Sequence, residues 1–372
     1  MSVWLINCVL VCLISVPLCG IVILQILRIA FKWSLFDEPD ERKIHDSLVP
    51  RLGGMAFVPV IMLSMSLLVG LSTIVGGELL PVFMTFARPM VFGFCALVLL
   101  YFVGIVDDLI GIHYLTKLTF QMVCGVLFIA GGVCLDDLHG FVGLTELPGF
   151  ISCLFTVIVV VYIINSINLI DGIDGLASGL CGISCLYFGI LYLLMGEYVF
   201  AMVSFATLGV LIPFFYYNVF GDSRRQKKIL MGDAGSLTLG GILSFLGLHM
   251  ADYDLTSCEA NPLIMAFVPL MVPCFDVVRV FLHRLRNGSN PFLPDKNHIH
   301  HKLLEIGLSQ RRAMVIILSV SLLLILFNVC LSTVVNINVL VLGDMLLCIF
   351  VNVWLTRRAK GRPTRNVTRT SR

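Results

Sequence analysis

Charged side chains are scarce in this sequence: only 13% of its 372 residues are Asp, Glu, Lys or Arg, whereas 58% are hydrophobic. A chain with so little polar surface cannot fold as a soluble globule, because its apolar residues could not be shielded from water. The apolar residues instead form runs long enough to cross a bilayer, which predicts an all-α, polytopic integral membrane protein. The net formal charge of +2 says nothing by itself, and no nucleic-acid partner is expected.

Cysteine is present but carries no metal or disulfide pattern. The thirteen cysteines lie mostly inside apolar runs, and no C-x-x-C pair occurs among them. This distribution argues against a zinc ribbon or a disulfide framework and favours buried apolar thiols. The sequence also lacks a fixed-period repeat, a separate soluble domain and a basic leader before its first apolar run, so that run is interpreted as a retained membrane span.

The apolar runs predict about eleven transmembrane helices. With boundaries uncertain by a few residues, they fall at 3–31, 53–76, 86–106, 115–134, 150–167, 174–195, 198–217, 234–250, 262–283, 312–334 and 336–356. Residues 1–356 are therefore predicted to form one transmembrane domain. Residues 357–372 form a basic tail without acids, which is expected to be disordered against an anionic inner leaflet.

The distribution of positive charge predicts the orientation of these helices. If the N-terminus lies outside, 24 of the 25 Lys and Arg residues fall in cytoplasmic connections, in the helix ends beside them or in the tail, and only Arg88 lies on the other side. Because positive residues accumulate on the cytoplasmic side of membrane proteins, an outside N-terminus and a cytoplasmic C-terminus are predicted.

A polar, glycine-bearing run from Asn168 to Leu176 stands between two long apolar segments. Asp171 and Asp174 are three residues apart and would share a face if the segment were helical, and Asn168 lies one turn earlier. Such hard oxygen ligands suit Mg²⁺, which proteins commonly hold with one or two side chains plus substrate phosphates. An Asx-turn capping the next helix through Asp174 is the structural alternative, but it explains only one of the three side chains.

Two earlier cytoplasmic segments also carry chemically capable residues. The segment from Asp37 to His45 leads into Pro50-Arg51-Leu52-Gly53-Gly54, where the glycines permit close approach of a ligand; a solvated loop is the simpler explanation. Asp107 and Asp108 end the third predicted helix, with Lys117 at the start of the fourth. Adjacent carboxylates raise one pKa unless a cation compensates, so a proton acceptor, a metal-facing acid and a solvated helix end all remain open.

Two later segments add a further acid and several cations. Asn218 precedes a basic run that leads to Met231-Gly232-Asp233-Ala234-Gly235-Ser236, in which Asp233 is either a helix cap or a ligand-facing acid. His298, His300 and His301 follow Arg286 in the next cytoplasmic connection. The surrounding positive charge opposes a zinc site, so an anion-binding role is favoured for His300 and His301.

Acids for a divalent cation and basic groups for phosphate thus lie at one membrane face, which is typical of phosphoryl transfer. A transporter is the competing interpretation. It would place ionisable residues near the middle of the bilayer on broken helices, often in two similar halves, and this sequence does neither.

Five motifs in this order resemble the polyprenyl-phosphate N-acetylhexosamine-1-phosphate transferase superfamily, and within it the bacterial undecaprenyl-phosphate GlcNAc-1-phosphate transferases. They are Pro50 to Gly54, Val106-Asp107-Asp108, Asn168 to Gly175, Met231 to Ser236, and Pro291-Phe292 through His298-Ile299-His300-His301. The resemblance implies a multi-pass enzyme of the bacterial inner membrane with a cytoplasmic active site. Its implied reaction transfers GlcNAc-1-phosphate from UDP-GlcNAc to undecaprenyl phosphate and releases UMP, as the first membrane step of a surface glycan pathway. A homodimer is a further expectation.

The resemblance also implies roles for individual residues. Asp233 and Asn168 would hold Mg²⁺, with Mn²⁺ as an alternative, and the catalytic set would comprise Asp107, Asp108, Lys117, His300 and His301. One of Asp107 and Asp108 would deprotonate the lipid phosphate or form a covalent intermediate. Donor binding would fall to Asp171, Asp174, Asn218 and Arg286.

The sequence departs from the family pattern at two places, and both affect the residue roles that the resemblance implies. The loop between Asn218 and Asp233 is longer and more basic than usual, and Leu230 stands where relatives commonly place a Phe that can pack on uracil. Another UDP-N-acetylhexosamine or a MurNAc-pentapeptide donor is the alternative to UDP-GlcNAc.

Overall fold

A computed structural model describes residues 2–35, 49–253, 260–286, 288 and 298–360 of the chain. The predictions made for residues 37–45, for 291–297 and for the tail from 361 onward lie outside these described residues. Within them the chain is helical, and the only β-pairing is an isolated bridge between Asp137 and Glu146. The predicted all-α class is confirmed.

Fourteen α-helices make up the described fold. They are α1 Ser2–Trp33, α2 Phe57–Ile74, α3 Leu79–Thr85, α4 Ala87–Ile110, α5 Tyr114–Ala130, α6 Gly149–Ile170, α7 Leu176–Met195, α8 Tyr198–Val219, α9 Gly232–Ala251, α10 Pro262–Phe267, α11 Met271–Arg286, α12 Ile299–Glu305, α13 Gln310–Leu331 and α14 Ile337–Lys360. In the described ranges ten helical segments, with α10 and α11 counted as one, are long and apolar enough to cross a membrane. The shorter α5 is also apolar and corresponds to the remaining predicted span, at 115–134.

Two features of the helices differ from the prediction. The span predicted at 262–283 is interrupted by the 3₁₀ turn Val268–Leu270, where Pro269 and then Pro273 remove backbone N–H donors and crowd the preceding turn. Two short helices, α3 and α12, were not predicted, because seven residues carry too little periodicity to be recognised.

Helix α9 lies at the centre of the bundle and is buried along almost its whole length. It packs against α4 and α6, and small residues allow the close approach. A side chain at Gly104 of α4 would meet the backbone of Ala234, and a side chain at Gly240 would meet the backbone of Ile164 in α6. This packing places the N-terminus of α9 beside the end of α4 and the end of α6, where the predicted polar motifs lie.

Candidate active site

The N-terminus of α9 is capped by an acid from another helix. Asp108, in the last turn of α4, accepts hydrogen bonds from the backbone N–H groups of Asp233 (2.6 Å) and Ala234 (2.9 Å). A carboxylate in this position satisfies two otherwise unpaired donors and faces the positive end of the helix dipole. Gly232 has a φ of +76°, and a side chain there would strike the Asp108 carboxylate and the carbonyl oxygen of Arg51. The glycine is therefore required for Asp108 to reach the helix.

Asp233 itself lies in a polar cluster of predicted site residues. The Lys117 ammonium lies 3.1 Å from one Asp233 carboxylate oxygen and also forms an ion pair with Asp107. The Asn168 amide donates hydrogen bonds to the other Asp233 oxygen and to the hydroxyl of Ser236, the latter at 2.8 Å. Residues from α4, α5, α6 and α9 thus converge at one end of the bundle, and two of them, Asp108 and Asp233, are 125 positions apart in sequence.

The segment Pro50–Gly54 docks directly onto the chain that leads into α9. Leu230 donates its backbone N–H to the Pro50 carbonyl (2.9 Å), and Gly53 donates to the Leu230 carbonyl (2.9 Å). Gly54 donates to the Met231 carbonyl (2.8 Å), and a side chain at Gly54 would overlap the backbone of Gly235. The two glycines therefore serve a close contact between two backbones.

The run after Asn168 adopts a turn. Helix α6 ends at Ile170, residues 171–175 form turns, and Gly175, with a φ of +78°, precedes α7. The segment is not helical at this point, so Asp171 and Asp174 do not share a helical face; the glycines allow a turn instead. Asp174 forms an ion pair with Lys228 at 2.6 Å, a partner that the basic run offered but the sequence did not single out.

Asp171, the first residue of this turn, carries a carboxyl whose pKa is raised. Burial raises the pKa of its carboxyl to about 7, with further increases from the nearby Asp233 and Asp174 carboxylates and an opposing effect from Arg51. No hydrogen bond to its side chain is present among the residues that the structure describes. Near neutral pH this carboxyl can therefore hold or release a proton.

Both polar atoms of the Asn218 side chain form hydrogen bonds with the backbone. Its side-chain oxygen accepts a hydrogen bond from the Gly175 backbone (2.6 Å), and its amide donates to the Ile229 carbonyl (2.9 Å). Both bonds are buried and join the turn after α6 to the segment before α9. These bonds give Asn218 a positioning role, and the substrate contact predicted for it stays a prediction.

The histidine segment, residues 298–301, contacts the turn after α6 through His300. His300, in α12, is 1% exposed, and its Nε2 lies where a side chain at Gly172 would have to go. The ring of His301 packs beside it, with centroids 4.2 Å apart. Burial, together with His301 and His298, lowers the pKa of His300 to about 3, so its imidazole is neutral near physiological pH. His300 therefore contacts the turn after α6 at Gly172, and His301 lies next to it.

Arg286 is not brought into this cluster. It ends α11 and is exposed, and in the described part of the chain it has no ion pair with the site acids. Its predicted donor contact receives no support from the geometry. By contrast, Asp276 of α11 contacts the histidine segment and was missed. The available signal was an acid inside an otherwise apolar span, since such residues are costly in a membrane and are normally paired.

The donor set fits a cation that brings its own phosphate ligands. No group of three or more His, Cys, Asp or Glu side chains with metal-binding geometry occurs in the described ranges. However, Asp107, Asp108, Asp171 and Asp233 bring four carboxyl groups together, and Lys117 pairs with only two of them. Asp233 and Asn168 offer the hard oxygen ligands that Mg²⁺ accepts alongside water and phosphate.

The helices and this site define a polytopic membrane protein with an acidic, lysine-bridged centre at one end of its bundle. The sequence pattern of Glycosyl transferase family 4 matches residues 90–251, a range that holds Asp107, Asp108, Lys117, Asn168 and Asp233. The chain belongs to this family, as the resemblance in its motifs implied.

Curated relatives extend the match beyond the family pattern. An undecaprenyl-phosphate alpha-N-acetylglucosaminyl 1-phosphate transferase of Yersinia pestis is 30% identical over 81% of this chain and 78% of its own length. Proteins of the same name from Escherichia coli (strain K12) and Salmonella typhimurium (strain LT2) are 31% and 30% identical. Each of these two matches covers 78% of this chain and 74% of the relative.

Proposed function

We propose that this protein transfers GlcNAc-1-phosphate from UDP-GlcNAc to undecaprenyl phosphate, giving undecaprenyl-pyrophosphoryl-GlcNAc and UMP. The observation that carries the proposal is the convergence of Asp107 and Asp233 on Lys117, beside Asp108 and Asn168. It occurs in a chain whose relatives, covered over most of their length, are named for this acceptor and this sugar.

The reaction exchanges one phosphoanhydride bond for another. An oxygen of the acceptor phosphate forms a bond to the sugar-bearing phosphorus of the donor, and the bond from that phosphorus to the UMP oxygen breaks. Charge accumulates on the phosphate oxygens, so catalysis depends on placing cations and hydrogen-bond donors around them. Mg²⁺ held by Asp233 and Asn168 would neutralise part of this charge.

The protein's own residues have distinct positions for this chemistry. Lys117 places its ammonium between two carboxylates, where it also lies within reach of a phosphate entering beside Asp233. Asp108 is fixed by two backbone N–H groups and Asp107 by Lys117. Either carboxylate can take up a proton from the lipid phosphate before that phosphate attacks. Either can instead attack the phosphorus of the donor and form a covalent intermediate.

The donor is proposed to bind on the side of the turn after α6. Asp171 can exchange a proton near neutral pH, which suits a carboxyl that contacts sugar or ribose hydroxyls. Neutral His300 can donate one N–H to a phosphate oxygen while its ring packs over Gly172. The site is proposed to face the cytoplasm of a bacterial inner membrane, because the positive residues lie at that end.

Release of UMP by the purified protein tests this function. The full chain in detergent is supplied with undecaprenyl phosphate, Mg²⁺ and UDP-GlcNAc, and both UMP and the lipid-linked product are measured. Formation of both supports the proposal. UMP from another UDP-N-acetylhexosamine but not from UDP-GlcNAc would support the alternative donor, and absence of UMP with every UDP-HexNAc donor would overturn the transferase.

A further inference from the structure

A single buried carboxylate, that of Asp276, contacts the start of the histidine segment. Asp276, in α11, is 5% exposed. It accepts hydrogen bonds from His298 Nδ1 (2.8 Å), from the backbone N–H of Ile299 (3.0 Å) and from Arg279 at 2.7 and 3.2 Å. A buried carboxylate that accepts four hydrogen bonds from three residues is strongly held, because each donor offsets part of its desolvation.

Two of those partners begin helix α12. His298 is the residue preceding α12 and makes no side-chain cap bond of its own, and Ile299 is the first helical residue. Asp276 therefore supplies from another helix the N-terminal cap that α12 lacks. Since the His298 Nδ1 faces a carboxylate, that nitrogen carries the proton, and the hydrogen bond fixes both its tautomer and its ring orientation.

His300 has no such restraint. Neither of its ring nitrogens has a hydrogen-bond partner in the described part of the chain, although the side chain is almost fully buried. Its ring instead lies parallel to that of His298, with an interplanar angle of 8° and centroids 5.6 Å apart. The position of His300 over Gly172 therefore depends on where α12 and His298 are held.

Helix α14 contacts both α12 and the Arg279 side chain. Lys302 of α12 donates hydrogen bonds to Asn352 (2.6 Å) and Thr356 (2.8 Å), both in α14. Arg279, the ion-pair partner of Asp276, also reaches Asn352 at 3.4 Å. A continuous set of polar contacts thus runs from α14 through Arg279 and Asp276 to His298, and both α11 and α14 lie outside the matched family range.

We propose that Asp276 is a positioning residue of the transferase, which holds His300 over the turn after α6 by capping α12 and orienting His298, with Asn352 of α14 as its support. This inference rests on the proposed function of the site. It requires that loss of Asp276 act through His300 and leave the rest of the bundle in place.

A double-mutant cycle between Asp276→Asn and His300→Ala tests this dependence. Each single variant is expected to lower kcat/KM for the sugar donor by about tenfold or more, and the double variant to be no more than about twofold worse than the poorer single one. Asp344→Asn removes another buried membrane acid, in α14, and is expected to stay within about twofold of wild type in either background. Effects of Asp276→Asn and His300→Ala that multiply, or an Asp276→Asn variant as active as wild type, would overturn the proposal.

A second measurement needs no substrate and so separates this proposal from the proposed function. Hydrogen exchange of the backbone amides in residues 299–305 is expected to become at least about tenfold faster in Asp276→Asn, because an amide loses the charge and keeps only one oxygen for His298 and Ile299, and to be unchanged in Asp344→Asn. Unchanged exchange in Asp276→Asn would overturn the positioning role even if UMP is formed. Failure of wild type to form UMP would remove the proposed function alone.

Asn352→Leu provides a milder perturbation if Asp276→Asn does not fold. It removes the contacts of Lys302 and Arg279 with Asn352 but leaves the Lys302–Thr356 hydrogen bond and the Asp276 carboxylate in place. A loss of about threefold to tenfold in kcat/KM, absent in the His300→Ala background, is expected. An equal loss in both backgrounds would contradict action through His300.

Discussion

His300 fills the space in which a side chain at Gly172 would lie. Its Nε2 and Cε1 atoms are the nearest neighbours of that position, although the two residues are 128 positions apart in the chain. The backbone of Gly172 does not have a positive φ, so an alanine there meets no conformational obstacle. The contact with His300 is what excludes a side chain, and this makes Gly172 a direct probe of the histidine's place in the site.

Gly172→Ala is expected to displace His300 and to lower kcat/KM by about tenfold to a hundredfold, because the packed ring cannot yield without moving α12. UMP release by the purified variant measures the loss. Gly70→Ala is the matched control, since a side chain at this helical glycine has open space. Wild-type activity in Gly172→Ala would show that His300 has no role in the reaction.

Charge at the N-terminus of α9 can be removed without changing shape. Asp233→Asn and Asp108→Asn are each expected to lose at least about a hundredfold in turnover, because placement of charge dominates phosphoryl transfer. Asp222→Asn serves as the control: it is exposed in the loop before α9 and bonds to the nearby Arg224 backbone. Near-normal turnover in both test variants would remove the assignment of this site.

Titration with Mg²⁺ can separate the proposed metal-binding role of Asn168 from the proposed donor-binding role of Asp171. Chelation is expected to abolish UMP release, and Mg²⁺ to restore it. Asn168→Ala should raise the Mg²⁺ concentration needed for half-maximal rate by about tenfold or more, because one of the two proposed protein ligands is lost. Asp171→Asn should change the KM for the donor more than the Mg²⁺ requirement. The opposite pattern would exchange the roles of Asn168 and Asp171.

The buried, neutral His300 makes the protein sensitive to acid. Its pKa is about 3 in the folded protein against an ordinary value of 6.5, so the unfolded state binds a proton first as the pH falls. Stability is therefore unaffected above about pH 6.5 and declines below it towards pH 3, by about 2 kcal/mol at pH 5. His298, His301 and Arg279 disfavour the charged form, whereas Asp276 favours it.

His300→Gln is expected to remove this part of the pH dependence. The melting temperatures of wild type and variant, compared from pH 8 to pH 5, should converge as the pH falls if wild type is the more stable at pH 8. Parallel curves for the two proteins would show that His300 takes up a proton in the folded state as readily as in the unfolded one.

The predicted orientation has its own test. A reporter fused after Arg372 should be cytoplasmic, because 24 of the 25 Lys and Arg residues would then lie on or next to the inner side. Fusions after Val75 and after Glu146, in connections that carry almost no basic residues, should lie outside. An external signal from the C-terminal fusion would contradict both the topology and the cytoplasmic site.

The sequence by itself determined the helical class and the spans. Bilayer thickness and the need to pair every backbone N–H leave only long apolar helices for such a chain, so ten spans and the shorter α5 correspond to the predicted runs. The motifs of glycine and acid also identified Asp107, Asp108, Lys117, Asn168 and Asp233 as neighbours of one site. Their residue types and their shared end of the bundle were enough for that inference.

Only the tertiary structure decided how these residues are used. Asp171 and Asp174 lie in a turn and do not share a helical face, and Asp174 forms an ion pair with Lys228. Both polar atoms of Asn218 form hydrogen bonds with the backbone, and Asp276 is hydrogen-bonded to His298. Each of these contacts joins residues far apart in the chain, and their partners depend on how α6, α9, α11 and α12 pack. Local patterns carry no information about such distances, whereas apolar runs and helix ends are encoded in consecutive residues.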